Sequence, residues 1–191
     1  MRLQHPIKKR GQQRGVGLIE VLVALVVVSF GVLGMASLQL TGMKHSSGGF
    51  NRSKALLYAQ NMATRLRINT EAVNAGVYNT LDSDNSADVD CDQPPVPYCQ
   101  AQPTTTAIPS CSAAEMATFD FFAIACGDLG SDGADKGVLG TLPNGRLQIS
   151  CADPACPPDP AFEINVTWTE GRARTNSDEM ITKSVKVRLR P

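Results

Sequence analysis

From Val16 to Leu38 the chain is an almost unbroken apolar run, interrupted by Glu20 and a few Gly and Ser. About 20 apolar residues in a helix cross a bilayer, so the run predicts a membrane-spanning helix. No proline occurs from Ser37 to Asn74, and Leu40, Met43, Phe50, Leu57, Met62 and Leu66 recur near helical spacing. Residues 55–67 are rich in strong helix formers. The helix is therefore predicted to continue to about Asn74, with this apolar side packed on the rest of the chain. Ser46-Ser47-Gly48-Gly49 should bend or fray its middle, and Gly76 should follow its end.

The pattern then changes. Pro94, Pro95, Pro97, Pro103 and Pro109 exclude regular helix, so residues 77–110 read as an extended loop. Ser112-Ala-Ala-Glu115 is a capping box, which predicts a helix from about Ala113 to Cys126 with Met116, Phe119, Ala123 and Cys126 on its buried side. Residues 127–145 read as turns, with Asn144-Gly145 a hairpin signal. Three period-two stretches follow. Residues 146–151 alternate. Phe162, Ile164, Val166 and Trp168 alternate with polar residues, as do Ile181, Val185, Val187 and Leu189, with Lys183 the exception on the apolar side. An alternating sheet with one polar face is antiparallel and lies on something. The long helix is the natural cover, which makes the fold class α+β.

Charge fixes the orientation. Arg2, Lys8, Lys9, Arg10 and Arg14 precede the apolar run, and such a flank stays cytoplasmic. Residues beyond about Thr41 are then expected in an oxidising space. All six cysteines, Cys91, Cys99, Cys111, Cys126, Cys151 and Cys156, fall there, and an even number fits disulfides. Sequence proximity favours Cys91–Cys99, Cys111–Cys126 and Cys151–Cys156; a non-local pair tying the acidic loop to the helix competes with that set. The net charge of zero hides an asymmetry: residues 71–163 hold 14 Asp/Glu against Lys136 and Arg146, whereas residues 164–191 hold six Lys/Arg against three acids. Such segregation can steer head-to-tail packing of subunits; solvated loops and an ordinary strand face explain it equally well.

Glu20 is the odd residue in the run. A charge in hydrocarbon costs at least ~2.5 kcal/mol, so it needs a partner. An ordinary secretory signal peptide, here with Met35-Ala36-Ser37 near its end, has an apolar core of only about 7–15 residues and lacks acids. A plain signal anchor explains length and orientation but not Gly15 and Glu20 at this spacing.

Basic residues, then Gly15, then Val16-Gly17-Leu18-Ile19-Glu20, resemble a type IV prepilin cleavage site. The resemblance implies cutting by a prepilin peptidase between Gly15 and Val16, methylation of the new N-terminus at Val16, and Glu20 as the fifth mature residue. Val16 departs from the Phe usual in major pilins. The run G-V-G-L-I-E-V-L-V-A-L-V-V-V-S-F-G-V-L-G, with R-S-K-A-L-L-Y-A-Q-N-M-A-T-R-L-R-I-N, C-S-A-A-E-M-A-T-F-D and I-N-V-T-W-T-E, resembles the PilV family of minor pilins. It covers roughly the first 70 residues and scattered later patches. The implied fold is type IV pilin-like: a long N-terminal helix on a small antiparallel sheet. The implied domains are a leader at 1–15, a transmembrane and assembly helix at 16–40, its amphipathic continuation at 41–76, and a disulfide-bonded periplasmic domain at 77–191. Cutting leaves an amine on Val16. Glu20 lies four residues on, within reach on one helix face; the family reading pairs it instead with a neighbouring subunit's amine, which would set register.

The expected function is that of a minor pilin, a non-catalytic assembly factor that primes the pilus with other minor pilins at its tip. Expected partners are those pilins, the major pilin, prepilin peptidase and the inner membrane. The rivals are a type II secretion pseudopilin and a binding module, either a tip adhesin or a DNA-uptake receptor using Arg172, Arg174, Lys183, Lys186, Arg188 and Arg190. Nucleic acid is not part of the main expectation. The histidines are His5 in the leader and His45 just past the apolar run, which excludes a His-based catalytic or zinc site in the domain. No C-x-x-C, Walker or dinucleotide motif occurs. Asp82, Asp84, Asp88, Asp90 and Asp92 have the oxygen content of a calcium loop but lack the turn Gly and terminal Glu of an EF-hand; Asp128, Asp132 and Asp135 form a weaker cluster. A solvated acidic loop is the default, and no cofactor or metal is expected.

Overall fold

The computed structural model describes residues 17–101, 109–127, 137–151, 156, 161–171 and 180–191. The chain divides after Met43 into two compact units. Helix α1, Leu18–Ile68, contributes to both.

In the first unit α1 carries the apolar run, and its large side chains are exposed. The helix is long and apolar enough to cross a membrane. Two of its hydroxyls are satisfied locally: Ser29 Oγ donates to the Leu25 carbonyl at 2.7 Å and Thr41 Oγ1 to the Ser37 carbonyl at 3.0 Å. Such back-bonding leaves these groups needing nothing from hydrocarbon.

In the second unit α1 buries Ala55, Ala59, Met62, Ala63 and Leu66, a stripe at steps of three and four. This corrects the expected apolar side. Met62 and Leu66 belong to it, but Phe50 and Leu57 are 61% and 66% exposed. Leu57 lies two residues from both Ala55 and Ala59, which puts it on the opposite face. The small alanines leave the core volume to Tyr78, Phe121, Phe162, Ile164 and Val166, all fully buried in the same cluster. Each such large side chain contributes about 1.5–3 kcal/mol by leaving water.

Residues 46–49 do not interrupt α1. Gly48 has a packing reason instead: a Cβ there would lie 3.2 Å from a Glu170 carboxylate oxygen. The helix stops at Ile68, earlier than expected. Asn69 breaks it, and its side chain accepts from Ala72 N to cap helix α2, Thr70–Asn74. Gly76 follows at φ +76°.

Strand β1, Thr80–Asp82, lies inside the stretch expected to be loop. Helix α3, Ala113–Cys126, begins at the full capping box of Ser112 and Glu115. Its buried residues are Ala117 and then nearly every position from Phe119 to Ala125. Phe119 is buried as expected, but Met116, Ala123 and Cys126 are only half-buried, because α3 is enclosed on more than one side. Helix α4, Gly137–Thr141, occupies part of the expected turn region. Asn144, at φ +48°, links α4 to β2 and closes no hairpin.

Strands β2, Arg146–Cys151, β3, Phe162–Gly171, and β4, Met180–Leu189, follow. The sheet runs β1-β2-β3-β4, antiparallel throughout. One inner row crosses all four strands as Leu81, Ile149, Ile164 and Val187. The matching outer row is Asp82, Gln148, Asn165 and Lys186.

The cysteine pairs correct two of the three expected bonds. Cys91 pairs with Cys126 and Cys99 with Cys111, with Cα separations of 5.4 and 6.0 Å. Cys151 pairs with Cys156. Helix α3 itself rules out Cys111–Cys126: fifteen residues of rise span about 22 Å, and a disulfide holds Cα atoms within about 7 Å. The non-local Cys91–Cys126 bond ties the acidic loop to the end of α3. Tyr98 packs edge-to-face on Phe119 at 4.9 Å beside it.

A buried polar cluster joins α1, α3 and the lead-in to β1. Arg65 Nη1 meets Asp120 Oδ1 at 2.5 Å, and Arg65 Nε donates to Asn61 at 3.1 Å. Tyr78 OH donates to Asp120 Oδ2 at 3.5 Å, and Asn69 Nδ2 donates to the Ala113 carbonyl at 2.8 Å. Burial pushes the Asp120 carboxyl above the usual carboxylate range, and the Arg65 guanidinium beside it pulls it part of the way back. Burial and the neighbouring carboxylate also hold Tyr78 protonated well beyond its ordinary range. A raised carboxyl favours the fold at low pH, and that contribution is lost as pH rises through its folded value.

At neutral pH, Arg65→Met should therefore strand a buried charge and destabilise the protein by about 3 kcal/mol. Adding Asp120→Asn should recover more than half of that loss. Urea denaturation of the two single variants and the double variant measures the cycle; purely additive losses would show that the pair is not coupled.

Candidate functional site

The start of α1 combines helix termination chemistry with an isolated acid. The first N–H groups of a helix have no intrahelical acceptor. Glu20 meets one of them: Gly17 N donates to Glu20 Oε2 at 3.3 Å, while Glu20 N donates to the Gly17 carbonyl at 2.9 Å. The carboxylate thus sits in the first turn, where the helix dipole favours negative charge. This capping role was open to sequence reasoning through the three-residue spacing of Gly17 and Glu20. Leu18, Ile19, Val21 and Leu22 around it are all exposed. Gly15, Val16 and the basic leader lie outside the described residues.

Downstream, most carboxylates of the acidic loop are engaged by Arg146 or by nearby backbone N–H groups. Arg146 Nε reaches Asp82 Oδ1 at 2.8 Å and Asp84 Oδ2 at 3.1 Å, and its Nη2 contacts Asp82 Oδ2. Asp88 Oδ2 accepts from Asp82 N at 3.0 Å, and Asp90 Oδ1 accepts from Asp92 N at 3.0 Å. No group of three or more metal-ligating side chains converges among the described residues. Asp128, Asp132 and Asp135 lie outside them.

The basic C-terminal set is not one open patch. Lys186 Nζ and Arg188 Nε both bind Glu163, at 2.6 and 2.8 Å. Lys183 stands across from Trp168 in the register of β3 and β4. Arg172 and Arg174 lie outside the described residues.

Two comparisons bear on this arrangement. The family described as "Type IV pilin Tt1218" matches residues 37–122. The "Prokaryotic N-terminal methylation motif" matches residues 10–36, spanning the leader junction and Glu20. No curated protein and no solved structure matches the chain. The long apolar helix on a four-stranded antiparallel sheet is the type IV pilin fold. Together the adjoining matches support a type IV pilin bearing the methylation motif, a structural class that assembles with other pilins after prepilin peptidase cleavage.

The sheet's ion pairs set its acid sensitivity. Arg146 holds the Asp82 carboxyl below its usual value, and Lys186 with Arg188 does the same for Glu163. A lowered carboxyl adds stability above its unfolded pKa, and that stability is lost as pH falls through the folded value. Arg146→Gln should consequently flatten the loss of stability as pH falls below about 4. Chemical denaturation across that range tests it; an acid limb identical to wild type would detach Asp82 from the fold's pH response.

Proposed function

We propose that the chain is a minor pilin of the PilV type, a non-catalytic factor that primes pilus assembly with other minor pilins at the tip. The observation that carries this reading is a single carboxylate, Glu20, in the first turn of a helix that carries no other acid. An apolar helix gains nothing in a bilayer from that charge. It gains much in a filament if each carboxylate meets an amine on the adjacent subunit. Cleavage after Gly15 creates that amine on Val16, and its methylation leaves the positive charge in place. The leader holds the N-terminus in the cytoplasm and residues 18–43 span the inner membrane. The remaining domain then folds in the periplasm, where the three cysteine pairs oxidise. Before assembly Glu20 caps Gly17 N–H; during assembly it exchanges this neutral donor for a charged one, a stronger partner. The domain, with few ionisable groups left unpaired on its sheet, supplies partner specificity.

N-terminal sequencing of the mature protein should begin at a methylated Val16; a start beyond Ala36 would make the apolar run an ordinary signal peptide. Glu20→Ala should be cleaved and inserted normally, since the span becomes more apolar and the Gly15 junction is intact. Its recovery in sheared pili should fall at least tenfold against wild type. Equal recovery would refute the intersubunit pairing.

A further inference from the structure

Strand β4 ends the sheet, and its far edge has no neighbouring strand among the described residues. Alternate residues of an edge strand turn their N–H and C=O groups away from the sheet. Beyond β3 and Glu163, nothing among the described residues hydrogen-bonds to Met180–Leu189. Proteins usually blunt such an edge by shortening the strand, bulging it, placing a proline in it or covering it. β4 has ten residues, pairs with β3 without a break in register and contains no proline. Its protection is charge alone. Lys186 and Arg188 share the single carboxylate of Glu163, and their side chains stay 53% and 76% exposed. Lys183, opposite Trp168 on the inner side, is exposed and has no ion-pair partner among the described residues. Val185 and Val187, on the same side, are half-buried against the core.

We propose that the free edge of β4 accepts an extended acidic segment of a partner protein as a fifth strand. The unpaired backbone groups of β4 supply the attachment, and its side chains supply the selection. Opposite charges facing each other across a strand pair stabilise it, and like charges destabilise it. Acids opposite Lys183, Lys186 and Arg188 therefore suit the added strand, with apolar residues opposite Val185 and Val187. A second copy pairing through its own β4 would bring more positive charge alongside and is disfavoured. The other edge of a second copy is no better: β1 has three residues, and its Asp82 N–H already donates to Asp88 Oδ2. The occupant is thus a strand from a different chain. The inference stands on the sheet alone and does not depend on the membrane-spanning or pilus readings.

The test uses the full chain in detergent micelles and a synthetic peptide of the length of β4. In antiparallel register the peptide carries Glu opposite Lys183, Lys186 and Arg188, Val opposite Val185 and Val187, and Thr elsewhere. Residue-resolved hydrogen exchange reads β4. In the free protein alternate β4 amides should exchange rapidly. Peptide at about ten times its Kd should slow them about tenfold. The same peptide with Lys in place of Glu should give no protection. Lys183→Gln/Arg188→Gln leaves Lys186 to hold Glu163 and should weaken the acidic peptide about threefold, whereas Lys183→Arg/Arg188→Lys, which keeps both charges, should bind it as wild type does. Unchanged exchange of the β2 and β3 amides verifies that each variant is folded, and high salt applied to wild type removes the same attraction without any substitution. Equal protection by both peptides would overturn the proposal, as would binding of the acidic peptide that slows no β4 amide, or no binding at millimolar concentration. Edge amides already slow in the free protein, and faster on dilution, would place a second copy on the edge and overturn it as well.

Discussion

Hydrocarbon offers no hydrogen-bond partners, so the backbone of an apolar span must satisfy its own groups within the helix. That constraint explains why α1 tolerates many β-branched residues: Val and Ile are poor helix formers in water, yet a bilayer leaves them no alternative pairing. The same continuous helix then has to seat a folded domain. It does so with five residues, three of them alanine, and with the Arg65–Asp120 pair at one side of that seat. The pair costs desolvation and contributes geometry: it ties α1 to α3 in one arrangement.

The parts legible in the sequence are those governed by local rules. The capping box at Ser112 and Glu115 marks the start of α3, and the period-two stretches mark β2, β3 and β4 within a residue or two. The α+β arrangement follows from them. Parts decided by tertiary contact were not legible. Hydrophobic size pointed to Phe50 and Leu57, whereas the core uses Ala55, Ala59 and Ala63 because packing there requires small side chains. Gly48 resembles a weak point until Glu170 is seen above it. The three residues of β1 have no pattern of their own and become a strand by pairing with β2. The cysteine bonds were partly within reach, since a helix over 113–126 and a Cys111–Cys126 bond cannot coexist. Of the expected site residues Gly15, Val16 and Glu20, only Glu20 lies among the described residues; the Gly17 cap, the Asp82–Arg146 pairs and the Glu163–Lys186–Arg188 group needed coordinates.

The two acid–base arrangements in the domain respond to pH in opposite directions. Asp120, raised by burial, weakens its support as pH rises, whereas Asp82 and Glu163, lowered by cations, weaken theirs as pH falls. The first is inside the seat of the helix and the other two are on the outer face of the sheet. On acidification the ion pairs of the sheet's outer face lose their contribution, whereas Asp120 disfavours the fold less once it is protonated.

Charge along α1 has a related logic. One carboxylate opens the helix, an uncharged stretch follows, and only cations appear until Glu71. Each sign sits where its surroundings make it useful. At the helix start the dipole favours an acid, and Gly17 N donates to the Glu20 carboxylate there. In a helix that crosses a bilayer, charges at both ends resist sliding in either direction, because movement would draw one of them deeper into hydrocarbon.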